Sequence, residues 1–206
     1  PGARRVDASA GALGMEAVPG APLHAVASAR ASWAYAAAGE LLRLYQRSRP
    51  DGGKPWTAKD ELLQLREWIG VASRLYPELS GSYHRAFERL AAGPSGGDVA
   101  PVRLHRDFYD KQVMVGPDQV TLLDLDTATA GDPALDVGNF LAHIMLRQLQ
   151  TADSNSVPGS AARDFLDSYH EDDETVSRIS WWRTVALVRL ATIYSFRPNW
   201  WHLTPE

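Results

Sequence analysis

The sequence contains no cysteine, so disulfide bonds, thiolate nucleophiles and cysteine-based zinc sites are excluded. It also lacks any apolar run near the roughly twenty residues that a membrane-spanning helix needs. Charge of one sign is not in excess: 21 Lys and Arg stand against 25 Asp and Glu, for a net charge of −4. We therefore predict no nucleic-acid partner, no membrane partner and a cytoplasmic location.

The composition does supply enough apolar material for a buried core, since 45% of the 206 residues are hydrophobic. This length suits one domain of ordinary size or two very small ones. The first residue is Pro1 and not Met. We therefore expect the sequence to be a piece of a longer protein.

Hydrophobic periodicity predicts helices on both sides of a short β-rich segment. The expected helices are 23–45, 80–92, 135–149, 161–169 and 176–196. A further expected helix begins at a cap provided by Thr57 or Asp60 and ends before Pro77. The expected strands are a short one near 13–18, then 102–104, 112–115 and 119–123, with a hairpin turn at 116–118. The predicted fold class is mainly α with a small β-hairpin, an α+β fold.

Polar side chains are concentrated around this hairpin. Asp107 precedes its first strand, Gln112 begins that strand, and Asp124 follows the second. Carboxylates at the ends of apolar strands are costly to desolvate unless they meet a cation or hydrogen-bond donors. A hairpin brings its ends together, so one carboxylate can orient a hydroxyl while an amide oxygen and the other carboxylate hold magnesium against phosphates. The pattern indicates phosphoryl transfer.

Four segments, in the order in which they follow one another along the chain, resemble the aminoglycoside phosphotransferase and choline kinase-like family, which has a protein-kinase-like fold. His105-Arg106-Asp107 followed by Gln112 is similar to the family's catalytic loop, H-[GR]-D-x-x-x-x-N. Segment 123–126 (LDLD) resembles its metal-binding segment, and segment 131–138 (GDPALDVG) is close to its G-D-P-x-x-D-[LV]-[AG] signature. Upstream, segment 14–20 (GMEAVPG) looks like its hinge.

The resemblance implies an enzyme that phosphorylates a small-molecule hydroxyl, using Mg²⁺ and ATP or another nucleoside triphosphate. By position, Asp107 becomes the catalytic base and Asp124 the principal magnesium ligand. Gln112 stands where the family has asparagine, and its amide oxygen is carried on a stem one methylene longer. Two outcomes stay open: Gln112 ligates magnesium after a small backbone adjustment, or it weakens the second metal site.

The resemblance also implies supporting roles around these three residues. Asp136 would be a structural carboxylate that braces the catalytic loop, and His105 would be the packing anchor of that loop. Glu16 and Val18 would offer backbone groups to adenine.

A second departure from the family concerns its amino-terminal lobe. Only fourteen residues precede Met15, and the lysines Lys54, Lys59 and Lys111 all follow it, so none can be the strand lysine that pairs with the phosphates. We expect residues 1–20 to be the last strand and hinge of a missing amino-terminal lobe. Residues 21–206 would be the helical carboxy-terminal lobe, with a catalytic hairpin at 102–126, and little or no phosphotransfer is expected from this chain alone.

Two other functions compete with catalysis by a kinase-like enzyme. With an altered metal amide and no phosphate lysine, the chain could be a non-catalytic kinase-like binding scaffold. Segment 124–127 (DLDT) also resembles the nucleophile motif of haloacid dehalogenase-type phosphatases, but that function requires a doubly wound parallel sheet and a later lysine. The acidic run 171–174 would suit a cationic substrate, although a position before a helix is a sufficient explanation for it.

Overall fold

The structure, a computed structural model, describes residues 3–7, 12–48, 50, 54–94, 99–150, 157–170 and 173–197. Its α-helices are α1 (Ser28–Arg47), α2 (Ala58–Leu75), α3 (Pro77–Leu90), α4 (Ala134–Gln150), α5 (Ala161–Tyr169) and α6 (Asp173–Tyr194). Its strands are β1 (Ala3–Asp7), β2 (Ala12–Met15), β3 (Ala21–Pro22), β4 (Val102–Leu104), β5 (Val113–Val115), β6 (Val120–Leu122) and β7 (Thr129–Gly131). A short 3-10 helix, Leu23–Ala25, precedes α1.

Local sequence signals fix the ends of α2. The Thr57 hydroxyl accepts a hydrogen bond from the Asp60 backbone N–H at 3.2 Å, and the Asp60 carboxylate accepts one from the Thr57 N–H at 3.0 Å. This reciprocal capping box satisfies two amide donors that the first helical turn leaves unpaired. Both candidate caps therefore act together, with Thr57 as the N-cap. Pro77 then opens α3, where a missing N–H costs nothing.

The strands form small antiparallel sheets. β1 pairs with β2, β3 joins the β5–β6 hairpin, and β4 pairs with β7. In the hairpin Val113 lies opposite Leu122, and the Gly116 N–H donates to the Gln119 carbonyl at 2.8 Å across the turn. No strands of the described segments form the doubly wound parallel sheet that the phosphatase alternative requires.

Three phenylalanines join the hairpin segment to the helices. The Phe108 ring centroid lies 5.0 Å from that of Phe140 on α4, which lies 4.3 Å from that of Phe165 on α5. All three side chains are fully buried, and burial of such rings is a large favourable contribution to folding. Because Phe108 directly follows Asp107, the core itself fixes the position of that carboxylate.

A buried charge cluster joins α6 to the turn before α4. The Asp132 carboxylate accepts hydrogen bonds from Arg178 Nε and from Trp182 Nε1, each at 2.7 Å. It also caps α4 by accepting from the Ala134 N–H at 3.0 Å. Since a buried carboxylate is stable only when paired and hydrogen-bonded, these contacts explain why the segment 131–138 packs where it does.

The predicted fold class is confirmed, and the predicted helices occur with bounds shifted by a few residues. Three strands were not expected: β1, in a segment rich in glycine and alanine, β3, which has only two residues, and β7, which is short and mixed in composition. The helix expected from residue 23 begins at Ser28, because the first turn is 3-10. Residues 171–172 of the acidic run lie outside the described residues.

None of the helices in the described segments combines the length and the apolar character needed to cross a membrane.

Candidate active site

The loop between β4 and β5 is held by the first turn of α4. The Asp136 carboxylate, fully buried, accepts the His105 N–H on Oδ2 and the Arg106 N–H on Oδ1, both at 2.8 Å. Burial raises the pKa of Asp136, while these two backbone donors act in the opposite direction. Asp136 therefore braces the loop by satisfying two of its amide donors.

His105 joins the same loop to the end of the hairpin. Its Nε2 lies 2.8 Å from the Leu123 carbonyl oxygen, and its own carbonyl accepts the Thr127 hydroxyl at 2.8 Å. The ring is fully buried against Phe108, with centroids 6.0 Å apart. These contacts bring the segment that carries Asp107 next to the segment that carries Asp124.

Two residues of the site adopt left-handed backbone conformations. Arg106 has φ of 68° and Asp124 has φ of 57°, a region that costs non-glycine residues about 1 kcal/mol or more. The Asp136 contact holds Arg106 in this conformation, and the Arg106 guanidinium lies 3.6 Å from the centroid of the Trp56 ring. Such conformations are concentrated at functional sites, where surrounding contacts maintain them.

The structure brings Asp107, Gln112 and Asp124 together. Gln112 Nε2 donates to Asp124 Oδ2 at 3.0 Å, and the same side chain lies close enough to the Asp107 carboxyl to lower its pKa. The amide thus lies between two carboxylates that are 17 positions apart in the sequence. Its nitrogen, and not its oxygen, contacts Asp124 in this arrangement.

Asp107 is half-buried, and its environment raises its pKa. Desolvation is the largest cause, and repulsion from Asp124 acts in the same direction. Arg189 is the strongest opposing influence, followed by the Gln112 side chain. A carboxylate of raised pKa is a stronger base toward a hydroxyl proton than a fully solvated one.

Asp124 faces a cavity of about 690 Å³ on the hinge side of the hairpin. Glu16 and Val18 line this cavity, as do side chains of β5 and β6 (Met114 and Leu122). The cavity therefore combines apolar side chains with the acidic residues Glu16, Asp124 and Asp126. Its volume lies within the range of small-molecule and cofactor sites.

The donor set around Asp124 fits magnesium held jointly by protein and phosphate. Asp124 is exposed, and Asp126 lines the same cavity. The described residues contain no group of three or more His, Asp or Glu side chains that would hold a metal unaided. Magnesium needs no such cage, since it is commonly bound by one or two carboxylates with water and substrate phosphates completing the shell. A rotation of the Gln112 amide by 180° would turn its oxygen toward the same position.

A second cavity, of about 230 Å³, opens on the Asp107 side of the cluster. It lies between the catalytic loop, the end of α4 and the end of α6, and its lining includes Tyr109, His143, Arg189 and Arg197. The Asn139 side chain, on α4, connects the loop to α6, because it donates to the Phe108 carbonyl at 3.0 Å and accepts from Arg189.

Sequence reasoning anticipated Asp107, Gln112, Asp124, His105 and Asp136, and these five residues lie together. The hinge-side residues Glu16 and Val18 line the first cavity with Asp124. Apart from Asp107, the lining of the second cavity was missed. Its members come from α4, α6 and the loop, and no local motif marks them.

Comparison with known proteins identifies the family. Residues 3–178 match the sequence model of the phosphotransferase enzyme family (APH). Because this match spans most of the chain, the chain belongs to that family, and the resemblance found in its motifs is confirmed. No sequence among the curated proteins matches the chain.

Solved structures share the fold at low sequence identity. An aminoglycoside-3'-phosphotransferase of type VIII superposes with a TM-score of 0.63 and 17% identity, over 84% of this chain and 67% of that one. A choline/ethanolamine kinase family protein from Mesorhizobium loti gives 0.65 and 15%, over 94% and 64%. An aminoglycoside phosphotransferase from Streptomyces rimosus, in complex with ADP and streptomycin, gives 0.56 and 17%, over 83% and 67%. The chain thus spans about two thirds of the length of these proteins, and the likeness establishes its fold.

Proposed function

We propose that the protein transfers the terminal phosphate of ATP to a hydroxyl group of a small molecule, with Mg²⁺ bound at Asp124. One observation carries this proposal: the Gln112 amide, hydrogen-bonded to Asp124 of the first cavity, lies next to Asp107 of the second. A nucleotide in the first cavity and an acceptor in the second would meet at this amide. Membership of the phosphotransferase family supports the same reaction.

The first cavity suits a nucleotide. Glu16 and Val18 line this cavity where the edge of adenine would lie, while Met114 and Leu122 offer apolar contact to its faces. Asp124 would hold Mg²⁺, with Gln112 as a further ligand once its amide is rotated. When bound, Mg²⁺ supplies neutralisation of the charge on the transferring phosphate.

Asp107 orients the acceptor hydroxyl and takes its proton. A bond then forms between the hydroxyl oxygen and the terminal phosphorus, and the bond from that phosphorus to the bridging oxygen breaks. The products are a phosphate ester and ADP, and the proton leaves by way of Asp107. Its raised pKa favours this transfer, since burial strengthens it as a base.

We further infer that residues 1–20 form the last strand and hinge of an amino-terminal lobe, and residues 21–206 the carboxy-terminal lobe. The chain's lysines, Lys54, Lys59 and Lys111, all follow segment 14–20, so none of them occupies the strand position of the lysine that pairs with the nucleotide phosphates in this family.

Replacing Asp107→Asn tests the proposal. We expect phosphotransfer to fall by about a thousandfold, because Asn cannot accept the hydroxyl proton. Transfer of labelled phosphate to a panel of small alcohols measures the effect. The nucleotide affinity and the unfolding temperature should remain as in the unaltered protein.

Asp118→Asn is the matched control, since Asp118 is exposed in the β5–β6 turn, away from both cavities. It should leave the rate unchanged. If turnover survives in Asp107→Asn, the role of Asp107 is refuted. If the unaltered protein binds ATP with Mg²⁺ but phosphorylates no alcohol in the panel, the non-catalytic scaffold is the better description.

A further inference from the structure

The second cavity is lined by an excess of positive charge. Four lining side chains are cations, and they come from three parts of the chain: Lys111 of the loop, Arg147 of α4, and Arg189 and Arg197 of the α6 segment. Among the described residues that line the cavity, Asp107 is the one carboxylate. Four positive charges therefore surround one negative charge at the position where the acceptor would lie.

Two of these cations have partners behind the cavity. Arg147 Nε donates to Asp110 Oδ2 at 2.9 Å. Arg189 donates to Asn139 Oδ1 at 2.5 Å, and its other terminal nitrogen lies 3.6 Å from Glu61 Oε1. These contacts fix the two guanidinium groups in place. The Asn139 contact is with a neutral amide, and a carboxylate at 3.6 Å offsets the Arg189 charge only in part.

The other two cations lie at the exposed side of the cavity. In the described part of the chain, no carboxylate forms an ion pair with Lys111 or Arg197. The Arg197 guanidinium lies 4.8 Å from the centroid of the Tyr194 ring, a contact that orients the group without neutralising it.

The pKa of His143 reflects the positive charges around the cavity. Its ring stacks on Tyr109 with centroids 4.4 Å apart. Burial, followed by the charges of the same four cations, lowers the pKa of His143 to about 3. The ring is therefore neutral at ordinary pH, and a further positive charge is disfavoured at this position.

We infer that the acceptor is a small anionic hydroxyl compound, whose acid group contacts Lys111, Arg189 and Arg197 while its hydroxyl faces Asp107. Guanidinium groups match the planar geometry of carboxylates, and a cationic amine would meet repulsion from Lys111, Arg189 and Arg197, whereas Asp110 neutralises Arg147. The cavity volume of about 230 Å³ lies below the usual range for ligand sites, which favours an acceptor of few atoms. This inference rests on the proposed function and names its acceptor class.

Three probes of one carbon skeleton test the inference: glycerate, glycerol and 3-amino-1,2-propanediol. Each keeps a 1,2-diol and differs in the charge at the third carbon. Each is titrated into the protein at low ionic strength while the ring signals of His143, identified by their loss in His143→Gln, are followed by NMR. We expect glycerate to bind about tenfold more tightly than the amine, with glycerol between them, because charge is the main difference.

Variants assign this preference to the cavity. Lys111→Gln and Arg197→Gln should each weaken glycerate binding by about threefold and leave glycerol unchanged, the effect expected of one partly exposed charge. Arg163→Gln is the matched control, since Arg163 is exposed on α5 and does not line the cavity. It should change none of the three affinities.

Several outcomes would overturn the inference: binding of the amine as tight as that of glycerate, no binding of glycerate, or a preference that survives in both cavity variants. A loss of Mg–ADP affinity in Lys111→Gln or Arg197→Gln would also overturn it, because the cations would then bind the phosphates of the nucleotide. The readout needs no phosphotransfer. Failure of the anion preference is therefore distinguishable from failure of Asp107 as the base.

Discussion

At the scale of single residues, the site depends on buried polar groups that satisfy one another. Asp136 is the clearest case, because its two carboxylate oxygens accept the N–H groups of His105 and Arg106 deep in the core. A backbone donor left unpaired in such a place costs about 1–3 kcal/mol. The loop that carries Asp107 is therefore stabilised by its hydrogen bonds to the buried Asp136 carboxylate.

Asp136→Asn tests this role. The amide can accept one of the two N–H groups, but its NH₂ then faces the other donor, so we expect the free energy of unfolding to fall by about 2–3 kcal/mol. Urea unfolding followed by circular dichroism measures the change. Asp126→Asn, at an exposed carboxylate, should stay within about 0.5 kcal/mol of the unaltered protein. Equal stability of the two variants would show that Asp136 does not brace the loop.

At the scale of elements, close helix packing positions the second cavity. α4 carries His143 and Arg147, α6 carries Arg189, and the two helices meet at Gly138. A Cβ at this position would lie 2.6 Å from the Arg183 backbone nitrogen and 2.8 Å from Trp182 Cβ. Glycine is therefore required here by close approach of the helices and not by a special backbone angle.

We expect Gly138→Ala to lower the free energy of unfolding by about 1–3 kcal/mol, because the helices must move apart. Gly70→Ala is its matched control. Gly70 lies within α2, and the nearest atom to an added Cβ is Arg74 Nη1 at 3.8 Å, so alanine should stabilise the helix by about 0.5–1 kcal/mol. Thermal unfolding of both variants gives the comparison. A neutral Gly138→Ala would mean that the α4–α6 contact is loose.

At the scale of the whole molecule, the site is continuous with the core. The largest buried cluster includes Phe108, from the loop between β4 and β5, together with residues of α1, α4 and α5. A second buried cluster joins α2, α3 and α6, and Trp181 packs against both clusters. Among the described residues, the proposed base Asp107 therefore directly adjoins the main core. Loss of the fold and loss of the site should therefore be one event.

This continuity predicts coincident unfolding transitions. Tryptophan fluorescence senses α1, α2 and α6 through Trp33, Trp68 and Trp182, and far-UV circular dichroism senses all helices. Both signals should give the same urea midpoint. Phe108→Leu should lower both midpoints equally, since it removes ring contacts from the shared core. Two separated transitions would show that the helices around α2 and α3 unfold independently of the site.

Short-range signals made much of this architecture predictable. The helix 161–169 was expected with the bounds observed for α5, and the Thr57 and Asp60 pair marked the start of α2. The motifs around the hairpin identified Asp107, Gln112 and Asp124 as one group, and the structure places them together. Helix periodicity, caps and hairpin turns depend on residues that are close in the sequence, so the sequence alone predicts them.

Other features required the tertiary structure. β7 pairs with β4 across 24 intervening residues, 105–128, and its own three residues carry no clear strand signal. The contact of the Gln112 nitrogen with Asp124 also depends on how two separate strands are aligned.

The sequence by itself predicted helices around a small hairpin with aspartates at its ends, because those features depend on local spacing, and its motifs resembled the phosphotransferase family that the comparison confirms. The tertiary structure alone decided the charge that lines the second cavity. Lys111, Arg147, Arg189 and Arg197 lie far apart along the chain, and only the packing of α6 on α4 beside the catalytic loop gathers them into one cavity. An electrostatic potential is a sum over positions in space, and a sequence does not give those positions.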